Sequence, residues 1–166
     1  MNKIKIAQDV YKSVKVMYNV GLWMKEAGLN PSKWWKPENM NLKFLLIYTE
    51  QDEYYVAIVN EKPAASMILQ ETERNQSWKS VDGNTPQKAL YLHWLCVHRN
   101  FAKQGLPKIM VEFAKKEAKK RGFTLLRLDT NTDKKKLRFI YKGLGLKLMG
   151  KEKDKQHTTA FYQISV

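Results

Sequence analysis

The stretch from Ala89 to Arg121, ALYLHWLCVHRNFAKQGLPKIMVEFAKKEAKKR, allows few folds. Leu90, Leu92, Trp94, Leu95, Cys96 and Val97 form a near-continuous apolar run, the pattern of a strand covered on both faces. The run breaks at His98-Arg99-Asn100, and the chain turns through Phe101-Ala102-Lys103-Gln104-Gly105. Helical spacing then begins: Leu106, Ile109, Met110, Phe113, Ala114 and Ala118 recur at three- and four-residue steps, with lysines on the other face. A strand that feeds a helix through such a loop leaves backbone N–H groups unpaired at the helix start. With the helix dipole behind them they suit a phosphate, and Lys103 and Lys108 flank the junction. The first expectation is therefore a phosphate-bearing ligand. Neither G-x-x-x-x-G-K-[ST] nor a helix-opening G-x-G-x-x-G occurs, which sets aside a P-loop and a Rossmann site.

At 166 residues and 43% hydrophobic content, one globular domain over 1–166 is expected. A single cysteine excludes a disulfide framework and a multi-cysteine zinc site. No apolar run approaches the ~20 residues of a membrane span, and MNKIKIAQDV lacks the apolar block of a signal peptide, so the expected compartment is a reducing cytoplasm. The net charge of +14 raises a nucleic-acid reading. Against it, lysines such as Lys115, Lys116, Lys119 and Lys120 read as the solvated face of a helix, and a polyphosphate ligand would also use a positive field.

Along the chain, Ile4 and Ile6 suggest a short strand, and Val10, Val14, Met17, Gly21 and Met24 one face of a helix stopped at Gly28. Pro31 to Pro37 is a loop with adjacent tryptophans, and Asn41 to Tyr48 a second short helix. Tyr54–Val59 and Ala64–Leu69 flank Asn60-Glu61-Lys62-Pro63 as a hairpin. The polar stretch 71–87 reads as a loop. Thr124–Leu128 is a strand, Lys134–Leu144 a helix, and Leu146–Met149 pairs with Thr158–Ile164 across Gly150–His157. The class is α+β, or mixed α/β.

Two blocks carry a family resemblance. Ala102-Lys103-Gln104-Gly105-Leu106-Pro107 lies where the signature [Q/R]-x-x-G-x-[G/A] would fall; Gly105 matches, while Ala102 and Pro107 depart from it. Downstream, the strand from Leu126, the helix ending in Tyr141 and the turn Tyr141-Lys-Gly-Leu-Gly-Leu146 follow the pattern Y-x-x-L-G-F, with Leu146 in the place of Phe. In this order and spacing they resemble the GNAT superfamily of N-acetyltransferases, over roughly Ala64 to Val166. Within that superfamily YLHWLCVHRNF is most similar to the strand of serotonin N-acetyltransferases. The resemblance implies the acyl-CoA N-acyltransferase fold, a mixed and mostly antiparallel central sheet flanked by helices. It also implies acetyl-CoA as cofactor, with contacts from Leu95, Cys96, Val97, Ala102, Lys103, Gln104, Gly105, Leu106, Pro107, Lys108, Asn131, Lys134 and Tyr141.

Acetyl transfer from a thioester to an amine needs an anchored cofactor, a polarised carbonyl, a neutral amine and a proton for the leaving thiolate. A backbone N–H near Leu95 to Val97 is the candidate donor to the carbonyl. Tyr141 is the candidate acid, since a phenol donates at neutral pH; otherwise it is an aromatic packed under the sheet. His93 is the candidate base, able to strip the proton an alkyl amine carries at neutral pH; otherwise it is a core histidine bonded to backbone. Where serotonin N-acetyltransferases have a first strand histidine this chain has Tyr91, assigned with Trp34 and Trp35 to the acceptor side. The tryptophans either wall an amine pocket or cap the core. His93 and Cys96 should face opposite sides of one strand, which argues against a shared metal ion. Cys96 reads as a small buried apolar residue rather than a nucleophile.

The leading expectation is an acetyl-CoA-dependent N-acetyltransferase acting by direct attack in a ternary complex, on a small-molecule or peptide amine, as a monomer or homodimer. The rival is a basic, non-catalytic RNA- or ribosome-binding module on the same scaffold, favoured by the altered loop at Ala102 and Pro107.

Overall fold

The computed structural model describes residues 3–73 and 76–166. They build β1 (Ile4–Gln8), α1 (Val10–Glu26), α2 (Leu42–Leu45), β2 (Tyr54–Val59), β3 (Lys62–Gln70), α3 (Lys79–Asp82), β4 (Leu90–Val97), α4 (Leu106–Lys120), β5 (Leu125–Asn131), α5 (Lys135–Gly143), β6 (Lys147–Lys153) and β7 (Thr158–Ser165). The seven strands follow the order β1-β2-β3-β4-β5-β7-β6. β4 and β5 run parallel, whereas β1–β2, β2–β3, β5–β7 and β6–β7 run antiparallel, the mixed and mostly antiparallel sheet expected. The chain divides into two compact units, the first reaching Leu69 and taking in Trp94–Met110, the second made of Gln70–His93 and Val111–Val166. Both β4 and α4 run through the division.

In the first unit, Asp9 caps α1 by accepting the Lys12 N–H at 2.9 Å. One face of α1 buries Val10, Val16, Met17 and Val20 against Leu45, Tyr54, Val56, Ile68 and Cys96. Gly21 sits inside this helix for a steric reason: a Cβ there would lie 2.6 Å from the Trp35 carbonyl oxygen. The loop that carries the paired tryptophans is thus laid directly on the helix. The expected helix over 41–48 shrinks to α2, capped by the Asn41 side chain, with turns completing the span. The β2–β3 hairpin turns at Asn60 and Glu61, both with positive φ (46° and 67°) as a tight two-residue turn requires, and β3 starts at Lys62, two residues early. The last half of β4 lies beside β3, where the His98 N–H donates to Ala64 C=O at 2.8 Å.

In the second unit, β5 runs on to Asn131, three residues past the expected end, because β7 pairs with it from Leu125↔Ser165 to Asn131↔Thr159. β6 likewise continues through Gly150 to Lys153, and the expected loop contracts to 154–157, closed by Asp154 accepting the Gln156 and His157 N–H groups. The polar stretch 71–87 carries the short α3, which an ion pair from Asp82 to Arg127 of β5 holds down; Arg74 and Asn75 lie outside the described residues. Trp78, Ala89, Tyr91 and Phe161 form the local core.

Candidate active site

In the first unit the chain leaves β4 through a 3-10 turn at Arg99–Phe101, capped by His98, whose Nδ1 accepts the Asn100 N–H at 3.2 Å. Arg99 lies 4.1 Å above the Trp23 ring, which ties this turn to α1. Lys103 and Gly105 both take left-handed backbone (φ 64° and 74°), and α4 starts one residue later. The first α4 bond runs from Ile109 N–H to Gly105 C=O. Helix geometry therefore leaves the N–H groups of Gly105, Leu106 and Lys108 without intrahelical acceptors, while Pro107 has none to offer. Lys103, Gln104, Gly105 and Lys108 are exposed, and nothing lies within 4 Å of a Cβ built on Gly105. An anionic group can approach this backbone closely, and that fits the pyrophosphate of coenzyme A.

Upstream, Trp94 has φ 49°, a left-handed conformation uncommon for a bulky residue and a local kink in a strand. Its indole Nε1 donates to Trp34 C=O at 3.1 Å, which locks the ring in place. Trp34 gathers Tyr48 (4.9 Å between centroids), Trp94 (5.9 Å) and Phe44 (6.2 Å) in edge and tilted contacts, and the Lys33 ammonium lies 4.5 Å over its ring. All four rings are half-buried. Trp35 instead packs against the core of the unit, so the two neighbouring tryptophans have separate roles. Leu95 and Val97 are half-buried, whereas Cys96 is buried in the core beside Met17 and Leu45. Burial pushes the Cys96 thiol up to about 12, against a smaller lowering by a backbone contact at Ser66, so it carries no thiolate at neutral pH.

In the second unit, β4 pairs with β5 through Leu90↔Leu126, Tyr91↔Arg127 and Leu92↔Leu128. The next step along this register brings His93 to Asp129: His93 Nδ1 lies 3.7 Å from Asp129 Oδ1, with side-chain exposures of 18% and 27%. That Asp129 oxygen is itself buried and accepts no hydrogen bond. Tyr141, on α5, is 3% exposed, its ring set against Tyr162 at 5.8 Å. Burial first, then the charge of Asp129 and the Tyr162 phenol, raise the Tyr141 phenol well above the ordinary tyrosine range. It is a protonated donor at neutral pH. Arg138 Nε donates to the Tyr162 hydroxyl at 2.9 Å and fixes the ring on which Tyr141 rests.

The remaining expected site residues divide. Tyr91 is buried against Trp78, with its hydroxyl donating to Gln87 C=O at 3.4 Å, and stacks parallel to His93 at 6.5 Å. A core position leaves it little surface to offer an acceptor. Asn131 ends β5 and its carbonyl accepts the Lys134 N–H at 3.0 Å; Lys134 is exposed at the start of α5. Asp129 and Trp94 had no assigned role in the sequence. A carboxylate inside a strand was the available signal for the first, and the second was hidden in an apolar run. Among the described residues no cluster of three or more His, Cys, Asp or Glu side chains could hold a metal ion, and no helix is long and apolar enough to cross a membrane.

Comparison with known proteins bears on this geometry. The model of the Acetyltransferase (GNAT) family matches residues 20–146, a span that enters both units. No curated protein sequence matches the chain. A GNAT-family acetyltransferase from Listeria monocytogenes 4b F2365 is similar over 99% of this chain and 95% of its own, at 23% identity and a TM-score of 0.71. The ribosomal-protein-S18-alanine N-acetyltransferase from Escherichia coli is similar over 99% and 94%, at 14% identity and a TM-score of 0.64. A structure from Bacillus anthracis str. Ames, assigned to the streptothricin acetyltransferases and solved in complex with acetyl coenzyme A, is similar over 68% and 61%, at 14% identity and a TM-score of 0.56. At these identities the likeness is one of fold.

Proposed function

The chain belongs to the GNAT acetyltransferases, acetyl-CoA-dependent acyltransferases, and on that premise we propose that it moves the acetyl group of acetyl-CoA directly onto a primary amine of a small molecule or peptide, as one cytoplasmic domain over residues 1–166. The observation that carries this reading is the β4–α4 junction, with its open left-handed turn at Gly105, its helix-start N–H groups that helix geometry leaves without intrahelical acceptors, and its flanking lysines. Lys103, Gln104, Gly105, Leu106 and Lys108 hold the phosphates, and backbone N–H groups of Leu95 to Val97 donate toward the acyl oxygen. Bound acetyl-CoA supplies an activated acetyl thioester. His93 takes the ammonium proton so that a neutral amine attacks, and Tyr141 holds a proton for the departing sulfur. Trp34, with Phe44, Tyr48 and Trp94, offers the acceptor an aromatic wall. The likeness of Tyr91–Phe101 to the serotonin N-acetyltransferase strand rests on sequence alone.

Thermal unfolding with and without millimolar acetyl-CoA tests the cofactor, since a ligand bound only by the folded state raises the melting temperature. Gly105→Glu places a carboxylate, and a side chain on left-handed backbone, where the pyrophosphate would lie; the acetyl-CoA shift should vanish. A wild-type protein that shows no shift would overturn the assignment. The acceptor is found by thiol release from acetyl-CoA with phenethylamine, spermidine and an Ala-initiated peptide. The altered loop at Ala102 and Pro107, in a chain of net charge +14, carries the rival reading, a non-catalytic RNA- or ribosome-binding module. Weak RNA binding that collapses as salt rises would mark the lysines as a solvated surface, whereas tight, sequence-selective binding at physiological salt would support the rival.

A further inference from the structure

The parallel register of β4 and β5 brings one carboxylate to the candidate base, and we infer that Asp129 is the positioning residue that fixes the imidazole of His93 for proton removal from the acceptor amine. This rests on the reading of His93 as base and adds a partner to it. Three observations carry it. Asp129 Oδ1 is buried and accepts no hydrogen bond, an arrangement a native protein rarely leaves without a use. His93 Nδ1 lies 3.7 Å from that oxygen, within ion-pair range. Both side chains keep partial exposure, so the imidazole is reachable while the facing carboxylate oxygen is not.

The chemistry follows from the two nitrogens of one ring. With Nδ1–H directed at the carboxylate, the neutral tautomer is set and Nε2 carries the lone pair. Nε2 takes one proton from the acceptor ammonium, the amine nitrogen keeps the electron pair it uses in attack, and the imidazolium formed faces a full negative charge. Solvent then removes the proton. Around this pair, Tyr91 stacks parallel to the His93 ring on β4, and the Asp129 charge acts on Tyr141 from α5. That second effect has the same sense: the carboxylate also favours the protonated phenol. One side chain thus supports a proton acceptor and a proton donor, both in the second unit.

The chain has three histidines, so nitrogen-15 labelling of histidine gives three imidazoles to assign. In the wild-type free protein His93 is expected as a single Nδ1–H tautomer, and in Asp129→Asn as a mixture of both. With acetyl-CoA and whichever amine of the panel turns over, Asp129→Asn should lower kcat/KM for the amine by about 10- to 100-fold while leaving KM for acetyl-CoA near wild type. Asp129→Glu should restore part of the rate. A mixed tautomer in the wild type, or a wild-type kcat/KM for the amine in Asp129→Asn, overturns the inference. If His93→Gln itself keeps the wild-type low-pH limb of kcat/KM while the tautomer is locked, the base assignment falls, and the positioning role falls with it.

Discussion

Asp82→Ala is the most informative perturbation of stability, because it breaks a buried, bidentate ion pair. Arg127 Nη1 and Nη2 each donate to one Asp82 carboxylate oxygen at 2.7 Å, a bidentate fork with side-chain exposures of 2% and 8%. The guanidinium also lies 4.3 Å over Trp78, and its Nε donates to Gln163 at 2.8 Å. Removing the carboxylate strands a buried cation, which costs roughly 3–5 kcal/mol. Gln163 and Trp78 remain, and α3 has only four residues, so water reaches the guanidinium with little disruption. The lower end, about 3 kcal/mol, is expected. For a chain of this length that corresponds to a melting temperature about 6–12 °C lower. The pH dependence supplies an internal control. The Arg127 hydrogen bonds hold the Asp82 carboxyl below the usual carboxylate range, with burial opposing them. A depressed acid contributes stability above its unfolded pKa of about 3.9 and loses it as pH falls through the folded value. Urea melts of wild type and Asp82→Ala should therefore differ at pH 7, and the gap should begin to narrow only as pH falls below about 3.9. A gap below about 1 kcal/mol at pH 7, the scale of a surface pair, would refute the argument.

Two further outcomes follow from the buried donors. Tyr141→Phe keeps the ring against Tyr162 and removes only the proton, so it should melt close to wild type while kcat falls by about 10²-fold, the low end of acid–base contributions, because a thiolate leaves with little help; wild-type turnover with chemistry rate-limiting would remove Tyr141 from the mechanism. Native Cys96 should resist a thiol reagent at pH 8 and react once unfolded, and because its folded value is raised to about 12, the stability it contributes is full below the ordinary thiol range and declines as pH rises toward 12; rapid labelling of the native protein would contradict the burial.

Elements whose signal is local were legible in the sequence. α1 announced itself by the spacing of Val10, Met17 and Gly21, and α4 by its apolar stripe. Strand ends were not, because a partner decides them. Leu146–Met149 reads as four residues until β7 supplies pairing as far as Lys153↔Thr158, which carries β6 through Gly150. The stretch 71–87 reads as loop because its polar residues lack periodicity; α3 exists there because Asp82 finds Arg127, 45 residues away. The loop–helix junction was the opposite case. Gly105 stands between the exposed Gln104 and the buried Leu106 that begins the helix stripe, and the left-handed turn a glycine permits lies there.

The candidate base and its partner show where local reading stops. His93 was visible as a titratable residue in an apolar strand, but nothing within several residues distinguished a base from a satisfied core histidine. The deciding fact is an offset of 36 residues between β4 and β5, carried by Leu90↔Leu126, Tyr91↔Arg127 and Leu92↔Leu128. Neither strand states that offset, since both are apolar runs that would tolerate several alignments. In a half-buried sheet a slip of one residue exchanges the faces, so the polar residues constrain the alignment more than the leucines do. With Tyr91 opposite Arg127, the guanidinium reaches Asp82 and the buried charge is satisfied; a slip of one residue would turn Arg127 to the other face, away from that partner. The same register carries Asp129 to His93 one step later. The pair that holds α3 down thus fixes the alignment on which the proposed proton path depends.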